Sequence, residues 1–476
     1  MIKPLVYLLS PGFAKSIVYM LQSVEYRTGD YLKWFWRVED FRKVMYRRKL
    51  VMTKPAKLLF TFVYGGMLIQ FAIGLGVIVV YHDWPAIFAA FAVVLSAPVV
   101  WGHLVTVPLI LGDHLIVKPR QAAKVKHSAK IFKDHKAVKI AIAGSYGKTS
   151  MKEMLVTVLS EGKKVAATEA NKNVAISHAL FAKKLDGSED IVILEYGEGA
   201  PGDVAKFART TKPDIGIITG LAPAHLDRYK TLNAAGRDIF SLAQYVKAGN
   251  IYVNFESEDA KPFIKKNFVK YDSGGADGWK VSKVKVSIDG LNFVMKKGRL
   301  EISVTSAVLG KHQVGPLSLI CALAYKLGLS INQIETGVQK ITPFEHRMQP
   351  YRLGAAWVID DSYNGNIDGM EAGLALLAAL PAKRKIYITP GLVDQGPENK
   401  RVHLKLGSLI AKSGADTVVL MDNSVKGFIL EGLDKGNFKG KLRVEKDPLA
   451  FYKGLDQLVA AGDLVLIQND WTDNYN

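Results

Sequence analysis

Two long uncharged runs dominate the first quarter of the chain. Leu58 to Tyr81 contains no charged residue, and Trp84 to Leu111 is a second such run with His103 in its far half. Each is long enough to cross a bilayer as a helix. Only His82 and Asp83 separate them, so the pattern predicts a transmembrane helical hairpin. The alternative is a pair of buried helices in a soluble core, but helices apolar all round at this length are rare outside membranes.

Beyond Ala137 the pattern changes to short apolar runs alternating with helical stretches. Strands are expected at Val138–Ala143, Asp190–Tyr196, Asp214–Thr219 and Asn250–Asn254. Such alternation implies a mostly parallel sheet with helices on both faces. The turn Gly274 to Gly278 interrupts it, short alternating strands follow to about Ser306, and two helices from about His312 to Lys340 close the unit. A second alternation starts near Tyr351. Its strands are expected at Ala355–Asp360, Lys385–Thr389, Thr417–Met421 and Asp463–Gln468, with helices near Asp368–Ala379, Lys400–Lys412 and Pro448–Ala460. This is a smaller Rossmann-like unit, joined through a hinge around Thr342–Arg347.

Charge sharpens the membrane reading. The 476 residues carry a formal net charge of +19. Residues 1–130 hold 17 Lys/Arg against 6 Asp/Glu, so 17 − 6 = 11 of the excess positive charges lie there. A basic chain suits nucleic acid or an anionic membrane, and the adjoining apolar runs favour the membrane and no nucleic acid. Arg42, Lys43, Arg47, Arg48, Lys49, Lys54 and Lys57 precede the first run. Lys118, Arg120, Lys124, Lys126 and Lys130 follow the second, and the connector has no Lys or Arg. Both ends should therefore face the cytoplasm, with Tyr81 and Trp84 at the opposite interface. Residues 1–50 mix cations with Tyr26, Tyr31, Trp34, Trp36 and Phe41, which suits either an interfacial helix or a helix packed on a soluble domain. No cleavable signal peptide is evident. One cysteine, Cys321, lies in an apolar helical pattern, which excludes a disulfide framework and suggests a buried thiol.

The candidate chemistry begins where the first parallel strand ends. Residues 144–150 read Gly-Ser-Tyr-Gly-Lys-Thr-Ser. Gly144 and Gly147 let backbone N–H groups turn inward as an anion cradle, and the helix that opens at Lys148 adds its positive end. With Ser145 and Ser150 they form a phosphate loop. Lys148 can reach terminal phosphates, and the Thr149 hydroxyl can hold Mg²⁺. The spacing is the short form of the nucleotide loop; Ile142 stands where the longer form has its first glycine.

Other residues gather in the same order along the chain. Asp190 to Gly197 is a buried strand ending in the carboxylate Glu195. His225 follows the next strand, Asn254 ends another, and Glu345-His-Arg347 precedes Asp360-Asp-Ser-Tyr-Asn-Gly-Asn366. Singly, each has an ordinary explanation. Glu195 suits a helix cap or surface charge, His225 a structural histidine, Asp361 a cap for the following helix, and Arg347 a simple ion pair.

Together these motifs resemble the Mur ligases, in particular the D-alanyl-D-alanine-adding branch, over roughly residues 137–476. The resemblance implies ATP-dependent, ADP-forming amide ligation through an acyl phosphate, with ATP and Mg²⁺ bound. It implies that Lys148 stabilises the γ-phosphoryl group and Thr149 binds the first Mg²⁺. Glu195 and His225 would hold a second, Asn254 would contact adenine, Arg347 phosphate and Asp361 ribose. Asn364 and Asn366 would shape the turn. The expected organisation is a basic amphipathic segment (1–56), the hairpin (57–112), a basic linker (113–136), the P-loop ATPase domain (137–343) and the Rossmann-like domain (344–476).

The departures from that family are equally specific. The membrane module stands where a uridine-diphosphate-gripping domain is usual. Asn233 to Phe240 contains no lysine where the family commonly carries a carbamylated one, and Lys230 and Lys247 only flank it. Gly310-Lys-His312 matches, but Pro316 replaces an expected asparagine. The third domain has an unusual Thr389–Gly396 loop and an Asn469–Tyr475 ending. The implied function is a ligase of cell-envelope precursor synthesis at the cytoplasmic membrane, joining an amino acid or dipeptide to a carboxylate-bearing, lipid-linked or soluble cell-wall precursor. A membrane-linked polyglutamate-type synthase and a non-catalytic nucleotide-binding scaffold are the alternatives. An amidotransferase-partner relative is disfavoured because its cysteine metal cluster is missing.

Overall fold

The computed structural model describes residues 6–44, 50–169, 172–223, 226–363, 365–392 and 395–469. It divides into two compact units, Met1–Ala123 and Lys124–Asn476.

The first unit is helical. The apolar runs form helices Lys54–Val80 and Trp84–Leu104, the latter continuing through Thr106–Gly112 into a π turn at Asp113–Val117. Side chains set both starts. Thr53 accepts from Ala56 N (3.3 Å) and Asp83 from Ala86 N (2.9 Å), and a proline opens each first turn. Gly66 lets the helices close, because a Cβ there would lie 2.3 Å from the Trp101 ring. Gln70 donates to Val93 O (2.7 Å) and Ser96 Oγ (3.1 Å) and accepts from Trp101 Nε1 (2.8 Å), so the one strongly polar side chain in the first run is satisfied. Leu68, Ile69, Ile73, Leu75, Phe88 and Phe91 face outward. Both helices are long and apolar enough to cross a membrane. Helix Pro11–Ser23 packs Phe13, Ile17 and Met20 into one cluster with Leu59, Val63 and Met67. The N-terminal segment is thus folded against the first long helix, while Trp36 remains exposed.

The second unit is α/β. Its first sheet contains β1 (Val138–Ala143), β2 (Val165–Ala167), β3 (Ile191–Glu195), β4 (Ile215–Ile218), β5 (Ile251–Asn254), β6 (Val269–Asp272), β7 (Gly275–Ala276), β8 (Trp279–Ser287), β9 (Gly290–Lys297) and β10 (Leu300–Ser306). Their order is β10-β9-β8-β7-β6-β5-β4-β1-β3-β2. Pairing is parallel from β2 to β6 and antiparallel from β6 to β10. β3 and β4 are buried at every position, as parallel strands covered on both faces must be. Register places Ile142 beside Glu195 and Ala143 beside Ile218. The loop after β1 therefore emerges between the ends of β3 and β4, where strand order reverses and ligands of such sheets bind. Helices Val314–Lys326 and Ile331–Gln339 follow, and Cys321 is fully buried in the first.

The second sheet holds β11 (Gln349–Leu353), β12 (Ala356–Asp361), β13 (Arg384–Thr389), β14 (Thr417–Met421), β15 (Lys441–Glu445) and β16 (Asp463–Gln468), in the order β11-β12-β16-β13-β14-β15. Four central strands fall where the sequence predicts them. The pattern misses the edge strands β11, β15 and β2, because an exposed edge has no apolar face to read, and also the four-residue β6, whose mixed Val-Lys-Tyr-Asp sequence is too short to show a period. The helix expected over Pro448–Ala460 is instead two pieces, Pro448–Lys453 and Leu455–Leu458, parted at Gly454.

Candidate nucleotide site

The loop after β1 has the shape its glycines permit. Gly144 adopts φ 144° and Gly147 φ 71°, conformations that side chains with a Cβ resist. A Cβ on Gly144 would also lie 2.2 Å from Thr219 Oγ1. Ser145 N donates to Gly220 O (2.9 Å), and Thr219 Oγ1 donates to Tyr146 O, so the loop is tied to the end of β4. Gly147 caps helix Lys148–Leu159.

Four charged side chains and two polar ones meet behind it. Lys148 Nζ donates to Gly144 O (2.5 Å) and to Glu198 Oε1 (2.9 Å), and pairs with Glu198 Oε2 at 2.7 Å. Thr149 Oγ1 and Asn173 Nδ2 both donate to Glu195 Oε1 at 3.2 Å. Lys152, wholly buried one turn beyond Lys148, donates to Thr168 O (2.8 Å) and lies 3.5 Å from Glu195 Oε2. That Oε2 atom is buried and accepts no hydrogen bond. Glu195 is therefore no surface charge or helix cap.

A cavity of about 940 Å³ opens beside the cluster, within the range of nucleotide-sized sites. Tyr146, Gly147 and Ser150 line it from the loop, Asn254 from β5, and Arg347, Asp361 and Asn366 from the second sheet's side. Lys148, Thr149 and Glu195 are not among its lining residues and adjoin it behind the loop. Asn254 donates to Thr219 O (3.0 Å) and accepts from Glu256 N (3.0 Å). Arg347 stacks 4.3 Å over the Tyr363 ring. Asp361 accepts from Met348 N (3.2 Å) and Gln468 Nε2 (2.8 Å); burial pushes its carboxyl up to about 7. Asp361 does not cap the next helix. Asn366 does, accepting from Gly369 N at 2.9 Å. Asn469 holds the turn from behind, accepting from Gly365 N (3.1 Å) and donating to Gly391 O (2.5 Å).

His225 and Asn364 lie outside the described residues. The other expected residues fall into the loop, the cluster or the cavity wall. Sequence reading passed over Glu198 and Asn173, and gave no role to Tyr146 and Lys152, although both belong to the loop motif that carries the resemblance. Glu198 stands three places after Glu195 and Lys152 one helical turn after Lys148, spacings that signal proximity only once the elements are known. His312 and Pro316 line the cavity, and burial pushes the His312 imidazole down to about 4. Helix Leu232–Phe240 presents no lysine. Gly236 packs so closely on Phe263 that a Cβ would lie 2.4 Å from its ring. Asp238 is engaged by Tyr229 Oη (2.7 Å) and Gly202 N (2.9 Å). Lys230 and Lys247 are exposed.

The donor set suits Mg²⁺ with a polyphosphate. Thr149 and Glu195 are hard oxygen donors, and Mg²⁺ characteristically takes one or two protein ligands, leaving the rest to phosphate and water. Among the described residues no group of three or more His, Cys, Asp or Glu converges on one point.

Fold and cradle together define a nucleotide-binding α/β enzyme. Residues 142–324 match the Mur ligase middle domain and residues 346–468 the Mur ligase glutamate ligase domain. The UDP-N-acetylmuramoyl-tripeptide–D-alanyl-D-alanine ligase of Escherichia coli is 25% identical over 66% of this chain and 72% of its own length. The ligase of the same name from Synechocystis is 28% identical over 60% of this chain, which spans 62% of that protein. Among solved structures, MurF from Acinetobacter baumannii superposes with a TM-score of 0.65 at 19% identity, covering 73% of this chain and 77% of that one. MurF ligase from Thermotoga maritima in complex with ADP gives 0.63 at 18% identity, covering 74% and 80%. The chain belongs to the Mur ligase family, ATP-dependent ligases that form amide bonds.

Proposed function

We propose that the protein joins an amino acid or dipeptide to a carboxylate of a cell-wall precursor, on the cytoplasmic face of the membrane to which its hairpin anchors it. The observation that carries the reaction is the Lys148–Thr149–Glu195 group behind an intact phosphate loop. In this reading the loop's N–H groups and Lys148 hold the terminal phosphates of ATP. The acceptor carboxylate attacks the γ-phosphorus, ADP departs, and an acyl phosphate remains. The amine then attacks the acyl carbon, phosphate leaves and the amide forms. The protein's work is positioning and charge neutralisation. Mg²⁺, when bound, supplies neutralisation of phosphate charge; Thr149 would hold one ion, and Glu195 with His225 a second. Asn254 would face adenine, Asp361 would accept from the ribose and Arg347 would contact phosphate.

The named substrates of the E. coli relative, a UDP-linked muramoyl tripeptide and D-alanyl-D-alanine, are the first to test. A lipid-linked acceptor is the second. An anchored enzyme and a lipid-linked precursor share one thin layer, which raises their effective concentration, and the basic residues flanking the hairpin attract anionic headgroups. Detergent-solubilised protein should sustain ADP release beyond a single turnover only when acceptor and amine are both present, and faster with the lipid-linked acceptor than with its nucleotide-linked counterpart. Equal or better use of the soluble acceptor rejects the lipid preference and leaves the ligase. No stimulation by any acceptor leaves a nucleotide-binding scaffold.

The anchor predicts its own topology. His82→Cys should react with an impermeant thiol reagent outside intact cells, and Lys130→Cys should not. Cys321 is fully buried and does not compete, and His82 is preferred over Asp83 because the latter caps a helix. External labelling at position 130 would overturn the arrangement.

A further inference from the structure

One buried carboxylate at the phosphate loop is not used by the reaction above. Glu198 is 7% exposed and lies two residues beyond the buried Tyr196, past the end of β3. It grips Lys148 Nζ, with both oxygens within 3 Å. The third partner of that ammonium is Gly144 O. The group expected to meet the terminal phosphate is thus already held by an anion. A second acidic side chain, Glu195, accepts from Thr149 of the same helix turn, and its Oε2 accepts no hydrogen bond.

We propose that Glu198 is a positioning residue that makes nucleotide binding depend on the divalent cation. This rests on the assignment of the loop as the nucleotide site. In the free protein Glu198 holds Lys148 in place and neutralises it. A triphosphate without a cation must then share Lys148 with Glu198, and two anions on one ammonium repel strongly where water is scarce. A triphosphate that arrives with Mg²⁺ brings the missing positive charge, and Thr149 offers that cation an oxygen donor with the Glu195 carboxylate beside it. Glu198 therefore discriminates against the metal-free nucleotide and keeps Lys148 from being occupied by an unproductive ligand.

The test measures affinity of the solubilised full-length protein for β,γ-imido-ATP by calorimetry, once with Mg²⁺ and once with EDTA. Wild type should strongly favour the Mg²⁺ form. Glu198→Gln keeps the size of the side chain but removes its charge. It should bind the metal-free analogue about tenfold more tightly or better, the scale of removing one close like charge, so the ratio of the two affinities falls about tenfold. Glu198→Ala should lower the ratio in the same way, and Glu198→Asp should preserve it. The Ala variant decides the matter if the Gln variant does not fold, and thermal unfolding of each identifies that case. A ratio within twofold of wild type in both uncharged variants overturns the role of Glu198 while leaving the nucleotide site standing. Absence of wild-type binding both with Mg²⁺ and with EDTA overturns the nucleotide site and the role of Glu198 together.

Discussion

Lys148→Ala should reduce ADP release coupled to ligation by about 10²–10³-fold or more, the scale on which a preorganised charge stabilises a transferring group in a water-poor site. Its ammonium is held beside the loop by Gly144 O and Glu198, so its position is set before phosphate arrives. The loop itself should persist, because its shape depends on the left-handed glycines and on Ser145 N to Gly220 O, none of which involves the lysine side chain. Lys148→Arg should also fail, since a planar fork replaces a compact point charge. The assay is acceptor-dependent ADP release, with circular dichroism confirming the fold. Near-normal turnover in the alanine variant would mean that phosphate binds elsewhere.

Glu195→Ala should lose both activity and stability. Thr149 and Asn173 lose their shared acceptor, and Lys152 loses one of its counter-charges while remaining fully buried. Breaking a buried pair by deleting one partner costs about 3–5 kcal/mol. Glu153, 3.2 Å from Lys152 but 40% exposed, offsets part of this, so a loss of about 2–3 kcal/mol is expected. That corresponds to roughly 4–12 °C in melting temperature for a domain of this size. Glu195→Gln should not rescue it. If its oxygen keeps Thr149 and Asn173, its amino group must face the Lys152 ammonium. Turnover should fall about 10²-fold in both variants. Thermal unfolding together with ADP release checks the prediction, and an unchanged melting temperature in the alanine variant would show that Lys152 does not depend on Glu195.

The candidate site was legible wherever the chemistry is local in the chain. Gly144 to Ser150 is a contiguous motif whose geometry follows from two glycines and a helix start, and it folds as read. Glu195 and Asn254 were legible because each ends its strand, whereas Asp361 was legible only through the resemblance of the Asp360–Asn366 signature. Parallel strands put such ends on the ligand side of a sheet. Glu198 was not legible, and Lys152 was legible as part of the loop motif but not as a partner of Glu195. Their importance comes from burial and from partners 50 and 43 positions away, Lys148 and Glu195. The sequence also allowed Asp361 as a cap for the next helix; the structure gives that task to Asn366.

Length, uncharged runs and their cationic flanks determine, without any structure, that the first unit can hold two bilayer-length helices, because apolar length is a property of contiguous residues. Periodicity likewise determines the alternation of strand and helix that follows, and the phosphate loop within it. What only the tertiary structure decides is adjacency. β1 lies between β3 and β4, so Ile142 stands beside Glu195 and the loop opens onto that carboxylate. Gly236 is closed against Phe263, leaving no room for a longer side chain. Lys148 is held by Glu198 before any nucleotide arrives. These are long-range pairings, fixed by which apolar faces bury together, and no local pattern in the chain encodes the charge balance that results.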